Sequence, residues 1–163
     1  MTVLQAAPSP LLVVAVAMLA GFGAALVASP VMRRLPEGLT PAFAAASVLY
    51  GRSRDDLTET EALSAHYTAG ILAGALFAIA FLVAEAVLPP GSSVLGVALV
   101  PAAVAALVVV LALYWLFGYV VYPRFGGGTD GDAGRVRGDW AISVVVYAVA
   151  LVLLFPVGVL LLT

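Results

Sequence analysis

The sequence predicts an all-α fold: a polytopic integral membrane four-helix bundle with a short interfacial helix between spans one and two. Three observations predict it. Of 163 residues, 64% are hydrophobic and 10% charged, and the mean hydropathy is +1.16. A soluble domain is about 45–50% apolar and about 25% charged, and a chain of this size has too much surface to hide such an excess from water. Second, four continuous apolar stretches each reach the roughly 20 helical residues that cross a hydrocarbon core of about 30 Å. Third, all seven basic residues are arginines, and they fall between spans one and two or between spans three and four.

The first span is expected over 11–29, after Pro8 and Pro10 and before Pro30. The second is expected over 59–88. Thr58 and Glu61 have the spacing of a capping box, in which each side chain satisfies a free amide at the helix start, and Pro89-Pro90-Gly91 ends the span. The third is expected over 94–122, stopped by Pro123, and the fourth over 140–162. Pro101 and Pro156 fall inside spans three and four and should kink them. Continuous rather than alternating apolar runs argue against strands. A short helix is expected over 40–51, with Thr40 as cap, Pro41 in the first turn and Gly51 in the left-handed position that follows a helix. The whole chain, 1–163, reads as a single membrane domain.

Neither the segment before Leu11 nor the loop around Pro89–Ser93 carries an arginine. The positive-inside rule therefore places the arginine-bearing loops in the cytoplasm and both termini outside a plasma membrane. Tyr119, Tyr122 and Trp140 mark the cytoplasmic interface. No positive stretch precedes Leu11, so a cleaved signal peptide is not expected.

The missing residue types exclude whole classes of chemistry. With no Cys there are no disulfides, thiolate metal sites or iron–sulfur clusters. With no Lys there is no Walker phosphate loop and no Schiff base. The single His, His66, rules out an HExxH zinc site within the chain. No catalytic residue, metal, cofactor or nucleic-acid partner is expected. Asp130-Gly131-Asp132 matches the opening of a calcium loop but lacks the later ligands, so a salt-tolerant linker is expected there.

Three groups of residues remain as candidates. His66 and Glu85 are the polar intramembrane pair; they lie 19 residues apart, about 28 Å along a helix, so they cannot form one site within it. A helical wheel puts Glu85 about 20° from Gly74, on the side that packs against neighbours. Gly21 and Ala25 in span one, with Gly70 and Gly74 in span two, form small-residue rows at four-residue spacing. Such rows let helix backbones approach closely, either within one chain or between chains. Arg33, Arg34, Arg52 and Arg54 flank the short helix and are candidates for anionic lipid headgroups.

The stretch from Gly21 to Phe77 joins a small-rich span, Leu35-Pro36-Glu37-Gly38, Thr40-Pro41, a short helix, and His66 followed by Gly70 and Gly74. This pattern resembles small, uncharacterised four-span membrane proteins of haloarchaea. The resemblance implies a four-helix membrane fold and no known activity. Arginine in place of lysine, together with acidic loops, points the same way, with an actinobacterial source as the alternative. The leading expectation is a non-enzymatic accessory or scaffold subunit, or a small oligomerising membrane protein, with membrane lipids and a second copy or a partner subunit as partners. The alternative is a small oligomeric transporter or channel using Glu85 and His66. A membrane enzyme or haem subunit is the weakest reading.

Overall fold

The computed structural model describes residues 8–125 and 133–162. Helix α1 spans Pro10–Met32. Ser9 caps it by accepting from the Leu12 amide at 3.3 Å, and Pro10 supplies a φ already suited to the first turn. The helix does not stop at Pro30. A proline's φ is helical, so the cost is one backbone bond, and α1 continues to Met32 before the Arg33 amide closes on Ser29 O at 3.0 Å.

Helix α2 spans Thr40–Tyr50 and ends where Gly51 takes φ +63°, as its sequence demands. Thr40 is not its cap. Leu39 holds that position without a side-chain bond, and the Thr40 hydroxyl instead donates to Glu37 Oε2 at 2.6 Å. Rather than lying on a surface, α2 is buried on two sides. Ala44 packs with Phe117, Tyr122 and Val136, and Ala46 packs with Leu57 and Ala65. It is a wedge in one end of the bundle.

Helix α3 spans Glu59–Val87 and begins with the expected capping box: Glu61 N–H donates to Thr58 Oγ1 and Thr58 N–H to Glu61 Oε2. The third span starts later than expected. Ser93–Val94 (β1) and Val97–Ala98 (β2) pair as a small antiparallel hairpin, so residues before Leu99 are not helical. Its two turn residues, Leu95 and Gly96, have φ +51° and +82°, the pattern of the tight turn that matches strand twist. Helix α4 then spans Leu99–Trp115, widens into a π segment over Leu116–Val121, and continues as α5 over Tyr122–Phe125. Pro101 lies in the first turn of α4, where its absent N–H would have had no helical partner, so the reason to expect a kink there disappears. Helix α6 spans Ala133–Leu162, so it begins well before Trp140 and takes Arg135, Arg137 and Asp139 out of the loop. Asp130 and Asp132 lie outside the described residues.

Four helices are therefore long and apolar enough to cross a membrane: Pro10–Met32, Glu59–Val87, the composite Leu99–Phe125, and Ala133–Leu162. Helix α1 packs on α3 and α6, and α4 packs on the same two, giving a ring in the order α1, α3, α4, α6. At its centre Phe155 meets Phe77 and Phe81 edge to face, with centroids 5.2 Å from each, while Phe77 and Phe81 lie near-parallel at 6.1 Å. Outward faces carry exposed Leu, Ile and Val, such as Leu72, Ile79, Leu111 and Leu153.

Leu95 is exposed at φ +51°, a backbone region that penalises a Cβ by roughly 1–2 kcal/mol. Leu95→Asn should relieve most of this and raise stability by about 1 kcal/mol. Thermal unfolding in detergent measures it; an unchanged or lower midpoint contradicts the turn geometry.

Candidate functional site: a polar seam beside a lateral groove

The small-residue rows meet each other inside the chain. A methyl group added to Gly21 would lie 2.9 Å from Gly74 Cα, and one on Gly70 would lie 2.7 Å from Ala25 Cβ. One on Gly74 would reach 2.9 Å from the Ala17 carbonyl carbon. Real side chains do not tolerate such contacts, so α1 and α3 touch backbone to backbone. The stripe packs within the chain, the first of the two alternatives the sequence leaves open.

This closeness brings main-chain carbonyls within reach of neighbouring side chains. His66 Nε2 lies 3.1 Å from Ala25 O. A carbonyl can only accept, so Nε2 carries the proton. The Ser29 hydroxyl donates to the same oxygen at 2.8 Å, and the hydroxyls of Ser29 and Tyr67 stand 3.3 Å apart. From α6, the Tyr147 hydroxyl donates to Gly70 O at 2.7 Å, and both groups are buried. Three helices are thus joined by a polar seam through an otherwise apolar bundle. Sequence reasoning missed Tyr147; its signal is a lone phenol in mid-span, four residues after Ser143.

His66 also lines two cavities. Behind it lies a small one of about 40 Å³, bordered by Met32, Gly70, Ser143 and Tyr147. In front is a lateral groove of about 400 Å³ between α3 and the π segment, with α2 as its floor. Its walls are Ala65, Ala69 and Leu72 on one side and Leu113, Leu116, Phe117 and Val121 on the other. Trp140 closes the back, held by its indole N–H on Leu113 O at 3.2 Å. Arg137 Nε donates to Gly118 O at 3.2 Å, and its guanidinium sits 4.6 Å from the Tyr119 ring centroid. Two α6 side chains therefore cap carbonyls in and beside the π segment. Such segments occur often at functional sites.

Glu85 takes no part in this. It is exposed in the last turn of α3, and among the described residues no ion pair holds it. The expectation that it faces a packed neighbour fails because the neighbour ends. Gly74 packs on Ala17. From Gly74 to Glu85, α3 rises about 16 Å, whereas α1 extends only about 10 Å from Ala17 back to Pro10. The row that starts at Gly74 thus runs past the start of α1.

All seven arginines gather at the end of the bundle that holds α2. Arg33 pairs with Glu59 at 2.9 Å. Arg52 pairs with Glu61 and lies 5.8 Å from the Tyr50 ring centroid. Arg54 donates to Thr40 Oγ1 at 3.1 Å and lies 5.7 Å from the Phe43 ring centroid. Arg34 has no ion pair among the described residues. The Asp139 carboxylate accepts from the Glu37 amide at 2.8 Å and so ties the α1–α2 turn to α6. A crevice of about 490 Å³ at this end is bordered by Ser47, Arg52, Ser53, Arg54, Asp55, Arg124 and Phe125. Among the described residues, no group of three or more His, Asp or Glu side chains is placed to hold a metal ion.

Comparison with protein-family models, with curated proteins and with solved structures finds no match. The chain is thus described by its architecture: all helical, with four helices able to cross a membrane by length and composition.

The seam sets a graded test. Gly21→Ala and Gly74→Ala each force a methyl against backbone and should cost about 1–3 kcal/mol. Gly23→Ala meets only Leu154 Cδ1 at 3.0 Å, the movable end of a side chain, and should be close to neutral. Unfolding midpoints in detergent compare the three; equal effects would remove the backbone contact from the account.

Proposed function

We propose that the chain is a multi-pass protein of the plasma membrane that acts as a non-enzymatic accessory or scaffold subunit, alone or as an oligomer. The supporting observation is where the polar groups of the spans go. His66, Tyr67, Tyr147 and Trp140 each bond to a neighbouring helix, and the hydroxyls of Ser29 and Ser143 donate to carbonyls of their own helices. What faces outward is chiefly Leu, Ile and Val, with Trp115 and, in the last turn of α3, Glu85 among the exceptions. A transport path through Glu85 and His66 draws no support from this arrangement, because the two lie far apart and His66 Nε2 is committed to Ala25 O.

The orientation we propose puts the arginine-bearing end in the cytoplasm and the Pro10 end of α1 and the Leu162 end of α6 outside. Clustering of the arginines at one end of the bundle supports it. The natural absence of cysteine makes the test direct. Ser92→Cys should react with a membrane-impermeant maleimide in intact cells, and Asp56→Cys only after permeabilisation. The opposite pattern would invert the topology, and labelling of both in intact cells would remove the membrane reading.

An accessory or scaffold role also predicts association. Purified in mild detergent, the protein should run as a homo-oligomer or with a partner membrane subunit by light scattering and crosslinking. A bare monomer with no partner and no lipid dependence would overturn the reading.

A further inference from the structure

The crevice and the groove lie side by side around α2. Ser47 and Arg52 border the crevice, while Val48 and Leu49 border the groove. On the opposite wall, Val121 belongs to the groove and Arg124, one turn on, to the crevice. Among the described residues, a polar compartment bordered by three arginines and one carboxylate, Asp55, with Glu61 paired to Arg52, therefore stands one helical turn from an apolar compartment of similar size.

We propose that the two compartments together form one site for an anionic phospholipid, with its phosphate among Arg52, Arg54 and Arg124 and one acyl chain in the groove. The chemistry divides accordingly. Arg52 and Arg54 have protein partners that hold their guanidinium groups in place. Arg124 has no ion pair among the described residues, so it is the arginine with charge to offer. A guanidinium presents several N–H donors to phosphate oxygens, and each arginine near an anionic surface adds about fivefold in affinity. The groove adds the chain: its wall is alkyl and aromatic except for His66 and Thr68, so an acyl chain is held there by close packing, as helices in lipid are. Free phosphate would use the crevice alone, and a neutral lipid the groove alone. Only a molecule with both parts uses the whole site, and a membrane leaflet supplies such molecules at this height. The inference rests on the membrane reading above.

The test is native mass spectrometry of the full chain released from detergent, titrated with phosphatidylglycerol, with diacylglycerol of the same chains, which has no phosphate, and with inorganic phosphate. Phosphatidylglycerol should be retained preferentially. Arg124→Gln should lower its retention about fivefold and leave diacylglycerol unchanged. Ala69→Phe, which puts a ring into the groove, should lower retention of both lipids. An unchanged unfolding midpoint shows that each variant is folded, and Ala45→Phe tests the same groove from α2 should Ala69→Phe misfold. Equal retention of the two lipids, no effect of Arg124→Gln, or binding of inorganic phosphate as tight as that of the lipid would overturn the proposal. Failure here leaves the maleimide pattern intact, whereas failure of the membrane reading changes it.

Discussion

The backbone contact between α1 and α3 is the constraint on which the rest of the bundle depends. Ordinary helix pairs stand about 8–10 Å apart because side chains fill the space between them. At Gly21, Gly70 and Gly74 there is nothing to fill it, and the helices close until main chain meets main chain. Carbonyls that larger residues would screen then become acceptors for a second helix. Gly70 O is reachable by Tyr147 because Gly21 carries no side chain in the way: a methyl there would lie 3.0 Å from the Tyr147 hydroxyl. That hydroxyl in turn seats α6 against both helices. The position of α6 is thus a consequence of glycines on α1 and α3, through a bond that spans 77 residues of sequence.

The opposite wall of the bundle is organised by a different need. Within an apolar surround, every backbone group must find a partner. The π segment departs from α-helical bonding, and α6 supplies donors there: Trp140 to Leu113 O and Arg137 to Gly118 O. The same side chains shape the groove, since Trp140 forms its back. Wedged between the two walls, α2 keeps α3 and the π segment apart at the arginine-bearing end. Its narrow contacts are alanines, Ala44 on one side and Ala46 on the other, which allow deep insertion without separating the long helices further.

The parts of this arrangement that were legible in the sequence are those set by local chemistry. The apolar cores of the four spans, the Thr58–Glu61 box and the left-handed Gly51 follow from neighbours within a few residues. What was not legible depends on distant partners. Trp140 reads as an interface marker, yet its indole N–H is fixed by a carbonyl 27 residues away. The helical wheel placed Glu85 correctly in angle and wrongly in environment, because a wheel does not know where the neighbouring helix begins. The hairpin was missed for the opposite reason. Val94-Leu95-Gly96-Val97 has the two-residue spacing of a tight turn, but leucine is a poor occupant of the left-handed position and disguised it. Placement of the small-residue rows within the chain required the third helix, since a GxxxG row looks the same whether its partner is intramolecular or not.

His66 links the two halves of the structure and settles the character of the groove. Its Nε2 belongs to the seam, donating to Ala25 O. In the neutral ring the other nitrogen is then an acceptor. No buried side-chain polar atom among the described residues lacks a partner, and Nδ1 has no bond of its own, so it must be open to a cavity. The seam therefore fixes the tautomer, and the tautomer fixes what the cavity wall can offer: an imidazole acceptor, beside a Thr68 hydroxyl whose proton goes to Ser64 O, set among alkyl and aromatic groups. A carboxylate or a phosphate finds no donor there and is left to the arginines beyond α2, whereas an alkyl chain meets no charge along the groove's length. The separation of apolar groove from cationic crevice thus begins at a hydrogen bond on the far side of α3, between an imidazole and the main chain of α1.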